Sequence, residues 1–246
     1  MLELKNISFS VPSDSGNLEI IDNVSLTVPD GSFTVITGPN GGGKSTMAKL
    51  IMGIEKPTSG RILYNGEDIT DLSVTERAQK GIGYAFQQPP RFKGLTVRRL
   101  LSLAAGTDLP EDECCSYLTG VGLCSKDYLN REMDVSLSGG EAKRIEIATL
   151  MARNLGLAIF DEPEAGIDLW SFSMLVESFK TMSGDKHNSV IVISHQERIM
   201  NLADHMIVIA DGRLRNQGTK DEIFPTLLGE FTQDCGFRER KGADNG

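Results

Sequence analysis

The chain has 246 residues, with 25 Lys and Arg against 34 Asp and Glu for a net charge of −9, and 39% hydrophobic against 24% charged residues. At about 100–200 residues per domain this is one large domain or two small ones, with too balanced a composition for global disorder. The acidic charge speaks against a nucleic-acid binder, since neutralising phosphates needs a basic surface. No apolar run approaches the roughly 18 residues of a membrane-spanning helix. The start, MLELKNISFS, lacks the basic and apolar regions of a signal peptide. Cys114, Cys115, Cys124 and Cys235 are too few and too irregular for a disulfide scaffold, which points to a reduced, cytoplasmic compartment.

Leu2, Leu4, Ile7 and Phe9 alternate with polar residues and predict a first strand. Gly16-Asn17 marks a turn, and Ile20 to Val28 predicts a second strand ended by Pro29-Asp30-Gly31. Phe33-Thr34-Val35-Ile36-Thr37 is short, apolar and β-branched, as in a strand buried on both faces. After a glycine-rich loop, Met47, Leu50 and Ile51 fall at helical spacing. Arg61 to Tyr64 before Asn65-Gly66 predicts a hairpin arm. From about Pro89 to Ser136 no strand-like run occurs, and helical patches at Val97–Ala105 and Asp112–Leu118 predict a mainly helical insertion. Leu157–Phe160, Val190–Ile193 and Met206–Ala210 then alternate with helical stretches, the pattern of a parallel sheet. The tail CGFRERKGADNG is polar and predicts a frayed end.

Gly38-Pro39-Asn40-Gly41-Gly42-Gly43-Lys44-Ser45, followed by Thr46, fits the phosphate-binding pattern G-x-x-x-x-G-K-[ST]. Glycines let backbone N–H groups curl around phosphate oxygens, and the following helix turns its positive end to the same anion. Lys44 places a cation on the β- and γ-phosphates, and the Ser45 hydroxyl suits Mg²⁺. Leu157-Ala158-Ile159-Phe160 ends in Asp161-Glu162. Ligand sites of parallel sheets lie off the carboxyl ends of the strands, so Asp161 suits the metal shell and Glu162 a base that polarises water. A helix N-cap after a strand would use the same acids, as a plain turn would use the glycines.

Leu137-Ser138-Gly139-Gly140-Glu141 lies between these two motifs, followed by Ala142-Lys143-Arg144. With it the sequence resembles the nucleotide-binding domain of ATP-binding-cassette (ABC) proteins. Gln87, in Gly83-Tyr84-Ala85-Phe86-Gln87, matches the family's Q-loop glutamine, with Gln88 adjacent. Ala165-Gly166-Ile167-Asp168 matches its D-loop, and His195 its switch histidine. The resemblance implies an α/β P-loop fold with a RecA-like core, an N-terminal antiparallel β subdomain and a helical insertion. It implies one cassette over 1–246, with core 1–88 and 150–246 and helical subdomain 89–149. It also implies that Gln87 joins Ser45 and Asp161 in the metal shell. Two copies then close head to tail, so that Ser138, Gly139, Gly140 and Glu141 of one chain, with Asp168, meet ATP held by the other. Glu162, His195 and Lys44 carry the hydrolysis. His187 and His205 match nothing in the family.

Val11 where an adenine-stacking aromatic is usual, Glu141, Gly166 and the Arg198-Ile199 pair after His195 resemble the SufC-type ATPases of iron–sulfur cluster assembly. That likeness implies a SufB/SufD-like scaffold as partner. Pro163, where such proteins commonly have Ser, keeps the ATP-binding subunit of a membrane transporter, with a permease partner, as the alternative. The basic and apolar stretch Arg91 to Arg99 falls where the family touches its partner; a solvated helix start would read the same. A P-loop module that only senses ATP is the third class, against which Glu162 and His195 stand.

Overall fold

The computed structural model describes residues 1–13, 16–184 and 188–234, with side chains to residue 227. His187, Cys235 and the polar tail lie outside the described residues. The elements run β1 (Leu2–Ser13), β2 (Gly16–Val28), β3 (Phe33–Thr37), α1 (Lys44–Met52), β4 (Ser59–Tyr64), β5 (Glu67–Asp68), α2 (Val74–Gln79) and β6 (Ile82–Ala85). They continue with β7 (Phe92–Thr96), α3 (Val97–Ala105), α4 (Glu111–Gly120), α5 (Ser125–Tyr128), β8 (Glu132–Met133) and α6 (Gly139–Met151). Last come β9 (Leu157–Asp161), α7 (Leu169–Gly184), β10 (Ser189–Ile193), α8 (Glu197–Met200), β11 (His205–Ala210), β12 (Arg213–Thr219) and α9 (Lys220–Asp234).

Six strands form the central sheet in the order β12-β11-β3-β10-β9-β6, parallel except for the edge strand β12. β3, β9 and β10 are buried along their whole length, which is why they read as unbroken apolar runs. β1 and β2 form a long antiparallel hairpin that continues through β4 to β5. Between the two sheets Leu4, Ile21, Ile36, Met47, Leu50 and Ile191 make one core. On the other face of the central sheet Phe160, Phe179 and Val192 pack in a core that also takes in Leu101, Leu118 and Ile145 of the inserted segment. Burial at roughly 25 cal/mol per Å² makes these cores the main source of stability.

α1 is held at its far end by Arg77, which is 1% exposed. Its guanidinium donates to the Leu50 and Ile51 carbonyls at 2.7 and 2.8 Å and to Thr70 at 2.9 Å. A cation on the last carbonyls of a helix satisfies them and opposes the negative dipole end.

The inserted segment is not free of strands. Phe92 to Thr96 pairs antiparallel with Glu132 and Met133 as a small ribbon, too short and too mixed in pattern to show in the sequence. The Arg91–Arg99 stretch is accordingly a short strand that runs into the start of α3, where Arg98 and Arg99 are solvated. Arg91 is exposed and donates to the carbonyls of Asp134 and, at 2.9 Å, Leu137.

Candidate active site

The carboxyl ends of β3, β6, β9 and β10 meet at one edge of the central sheet, and each carries a part of the site. Beyond β3, Gly38 has φ of 132°, and a Cβ there would lie 2.0 Å from the Ile209 carbonyl oxygen. Gly43 caps α1 with φ of 100°, and its Cβ would lie 2.6 Å from the Ile21 side chain. Only glycine fits either place. The loop opens on a cleft of about 370 Å³ lined by Asn40 to Thr46, Ile20, Gln87 and Glu162. Among the described residues no aromatic side chain lines it, in keeping with Val11 at the β1 position. Gly38 and Pro39 lie behind the cleft and accept from Lys44 Nζ at 2.8 Å each. Burial lowers the Lys44 pKa, and the Glu162 and Asp161 carboxylates oppose this. An ammonium has three protons, so the cation held here has donor capacity for an anion.

Asp161 is 1% exposed at the end of β9. Ser45 Oγ donates to its Oδ1 at 2.9 Å, and the Tyr84 phenol donates to its Oδ2 at 2.7 Å. Burial and then Asp161 hold the Tyr84 proton firmly, with its pKa pushed far up. Ser45 and Asp161 thus bring two hard oxygen donors together at the foot of the phosphate loop, a donor set that fits Mg²⁺. Among the described residues no three His, Cys, Asp or Glu side chains are grouped to hold a metal; Cys114 is buried, Cys115 half-buried and Cys124 exposed.

Glu162 has φ of 45°, a left-handed conformation that costs a side-chain-bearing residue on the order of 1–3 kcal/mol. Its N–H donates to the Ile193 carbonyl at 3.0 Å, which fixes the turn against β10. Gln87 Nε2 donates to Glu162 Oε2 at 2.7 Å, across the mouth of the cleft. His195 follows β10. Desolvation and the Lys44 ammonium lower its pKa against the pull of Glu162, which favours the neutral ring. Two neighbours escaped sequence reasoning. The sequence shows Tyr84 only as part of the Q-loop pattern. Glu164 accepts from Ser194 Oγ at 2.6 Å while its other oxygen is buried without a partner, and burial raises its pKa.

The signature lies elsewhere. Ser138 caps α6 and accepts from the Glu141 N–H at 3.3 Å, and Glu141 accepts the Ser138 N–H at 2.6 Å. Glu141 also accepts from Tyr128, which with the Ser138 bonds holds its pKa down to about 2. The Glu141 carboxylate is thus spent within its own lobe. A Cβ on Gly139 would meet nothing within 4 Å, whereas one on Gly140 would lie 2.5 Å from the Gly166 carbonyl oxygen of the D-loop. Asp168 caps α7, accepting from Trp170 and Ser171 N–H groups at 3.1 and 3.0 Å. None of Ser138, Gly139, Gly140 and Asp168 lines the phosphate cleft. A separate groove of about 490 Å³ lies beside β6, α3 and α6, lined by Phe86, Phe92, Leu100, Leu103, Glu146 and Arg153 among others.

A phosphate cradle after one parallel strand and a paired acid after another define a P-loop nucleoside triphosphatase. The chain belongs to the ABC transporter family, whose profile matches residues 21–165. It is an ATPase that works with ATP and Mg²⁺. It is 40% identical over 238 residues to an uncharacterised ABC transporter ATP-binding protein of Methanocaldococcus jannaschii, covering 93% of both chains. It is 36% identical over 230 residues to EcfA1, an energy-coupling factor transporter ATP-binding protein of Staphylococcus aureus, covering 91% of this chain and 83% of that one. Its fold matches the ADP conformation of an ATP-binding cassette from an ABC transporter, with a TM-score of 0.74, 26% identity and coverage of 94% and 95%. It also matches a dimeric cassette bound to ADP and Pi, with a TM-score of 0.80, 24% identity and coverage of 89% and 99%. The two sequence relatives are described as transporter ATP-binding proteins, and neither as SufC-type. What the comparisons support is therefore the ABC family, and not the finer SufC-type assignment from Val11, Glu141, Gly166 and Arg198-Ile199.

Proposed function

We propose that this chain is the ATP-hydrolysing subunit of a membrane transporter, working as a head-to-tail pair that ATP closes. One observation carries the pairing: Lys44, Ser45, Gln87 and Glu162 line one cleft, and Ser138–Gly140 does not. One chain thus holds two anion-binding helix starts apart, and a second copy supplies the missing half. Lys44 and the N–H groups of Asn40 to Thr46 hold the phosphates, with Gly38 and Pro39 anchoring the Lys44 side chain. Ser45, Asp161 and the Gln87 amide oxygen would hold Mg²⁺, which neutralises phosphate charge when bound. Glu162 accepts the proton of the attacking water, and the neutral His195 hydrogen-bonds the transferred phosphoryl group. Ser138, Gly139 and Gly140 of the second copy complete the charge stabilisation, and Asp168 orders the D-loop beside them.

Residues 89–149 form the lobe that moves against core 1–88 and 150–246. The apolar groove at their junction receives the partner. The EcfA1 relative supports a permease there, and no described helix is long and apolar enough to cross a membrane itself. The cleft without an aromatic lining, with Glu141 and Arg198-Ile199, supports a second reading, an iron–sulfur scaffold of the SufB/SufD kind as partner. Purification from native cells separates the two: a multi-spanning partner supports the first, and a soluble partner carrying iron and sulfide the second.

A further inference from the structure

α6 carries two charged residues where a helix under a sheet should be apolar. Lys143 is 1% exposed and Glu146 is 7% exposed. They stand one turn apart and reach the same residue from one side. Glu146 Oε1 accepts the Phe86 N–H at 2.9 Å. Lys143 Nζ donates to the Phe86 carbonyl, and also to the Asp161 carbonyl at 3.0 Å. Both polar groups of one backbone residue are thus clasped by the helix that begins at the signature. The next residue is Gln87, and its amide holds Glu162. The arrangement is costly, because Glu146 Oε2 is buried with no partner. An apolar side chain would pack there at less cost, and the catalytic residues described above do not require the acid.

We infer that Glu146 is a positioning residue for ATP hydrolysis: by holding the Phe86 N–H it sets Gln87, and through Gln87 the Glu162 carboxylate, in register with the signature helix. The inference rests on the proposed roles of Gln87 and Glu162. The Phe86 ring is 39% exposed at the groove, so the clasped residue is also one that a docked partner touches. Small displacements of a catalytic group cost up to about 100-fold in rate, which sets the scale of the effect.

The test is a double-mutant cycle on the full-length chain, read as kcat, KM for Mg-ATP and melting temperature. Glu146→Leu removes the acceptor and is expected to lower kcat about 10- to 100-fold with KM within about threefold. Glu146→Gln keeps an acceptor for the Phe86 N–H and should restore kcat. Glu146→Leu added to Gln87→Ala should cause little further loss, because both act on one path. Multiplying losses, or a Leu variant at the parental kcat, would overturn the inference. If Gln87→Ala alone keeps the parental kcat, the Gln87 role itself fails, and the inference with it. Should the Leu variant not fold, Glu146→Asp withdraws the acceptor by one methylene while keeping the charge. It should lose kcat in the same way, and an Asp variant at parental kcat would refute the clasp.

Discussion

Glu146 gives the fold a measurable pH liability. Burial outweighs the Phe86 N–H and Lys143, and its carboxyl is pushed up to about 7 from an ordinary 4.5. A carboxyl with a raised folded-state pKa binds its proton more tightly in the native state. Its contribution is therefore fully present below about pH 4.5 and is lost as pH rises through about 7. At 1.36 kcal/mol per pH unit, the gap between about 7 and 4.5 is worth on the order of 3 kcal/mol. Glu146→Gln mimics the protonated form and keeps the acceptor. At pH 8.5 it should be more stable than the parent by on the order of 3 kcal/mol, or roughly 6–12 °C in melting temperature for a chain of this size. Near pH 5 the two proteins should melt within about 2 °C of each other, since both then carry a neutral group. Thermal unfolding across pH 5 to 8.5 checks this. A difference that does not change with pH, or a Gln variant less stable at pH 8.5, would refute the claim that burial dominates at Glu146.

Three further outcomes follow from the site. Lys44→Ala should weaken Mg-ATP binding by about 100-fold or more, since a cation at the phosphates is removed; isothermal calorimetry with unchanged affinity would contradict the loop assignment. Tyr84→Phe leaves Asp161 Oδ2 buried and unpaired and should cost about 1–3 kcal/mol in urea denaturation; an unchanged midpoint would show that Oδ2 finds another donor. Gly140→Ala would place a Cβ 2.5 Å from the Gly166 carbonyl oxygen. It should abolish most ATPase activity while leaving nucleotide affinity of the single chain near parental, because the phosphate cleft is untouched. A variant with full ATPase activity would remove the signature from the mechanism.

The phosphate site was legible because its physics is local. β3, β9 and β10 are buried on both faces and show as apolar runs, and the Gly38–Ser45 loop needs its glycines for contacts with Ile209 and Ile21. The junction of core and inserted lobe was not legible. β6 is four residues long and includes Gly83, so it carries little apolar signal, and β12, at the opposite edge of the sheet, is polar and shows none either. The β7–β8 ribbon is set by a pairing across a long sequence gap. Lys143 and Glu146 look like a solvated helix face in the sequence, and only the fold shows that α6 is buried on that side too. Glu141 carries a second part that the sequence does not show: its carboxylate closes a capping box with Ser138 and accepts from Tyr128. The partner was beyond reach for a different reason, since the groove that would receive it is built from residues far apart in the chain.

Sedimentation velocity of Glu162→Gln with and without Mg-ATP tests the composite site most directly. With the base removed and the phosphate cleft intact, ATP should convert the single chain to a stable pair of twice the mass, and withdrawing nucleotide should reverse it. If the variant stays a single chain at high protein and saturating ATP, while the parent hydrolyses ATP at a rate per chain that does not change on dilution, each chain holds a complete reaction centre and the account is wrong.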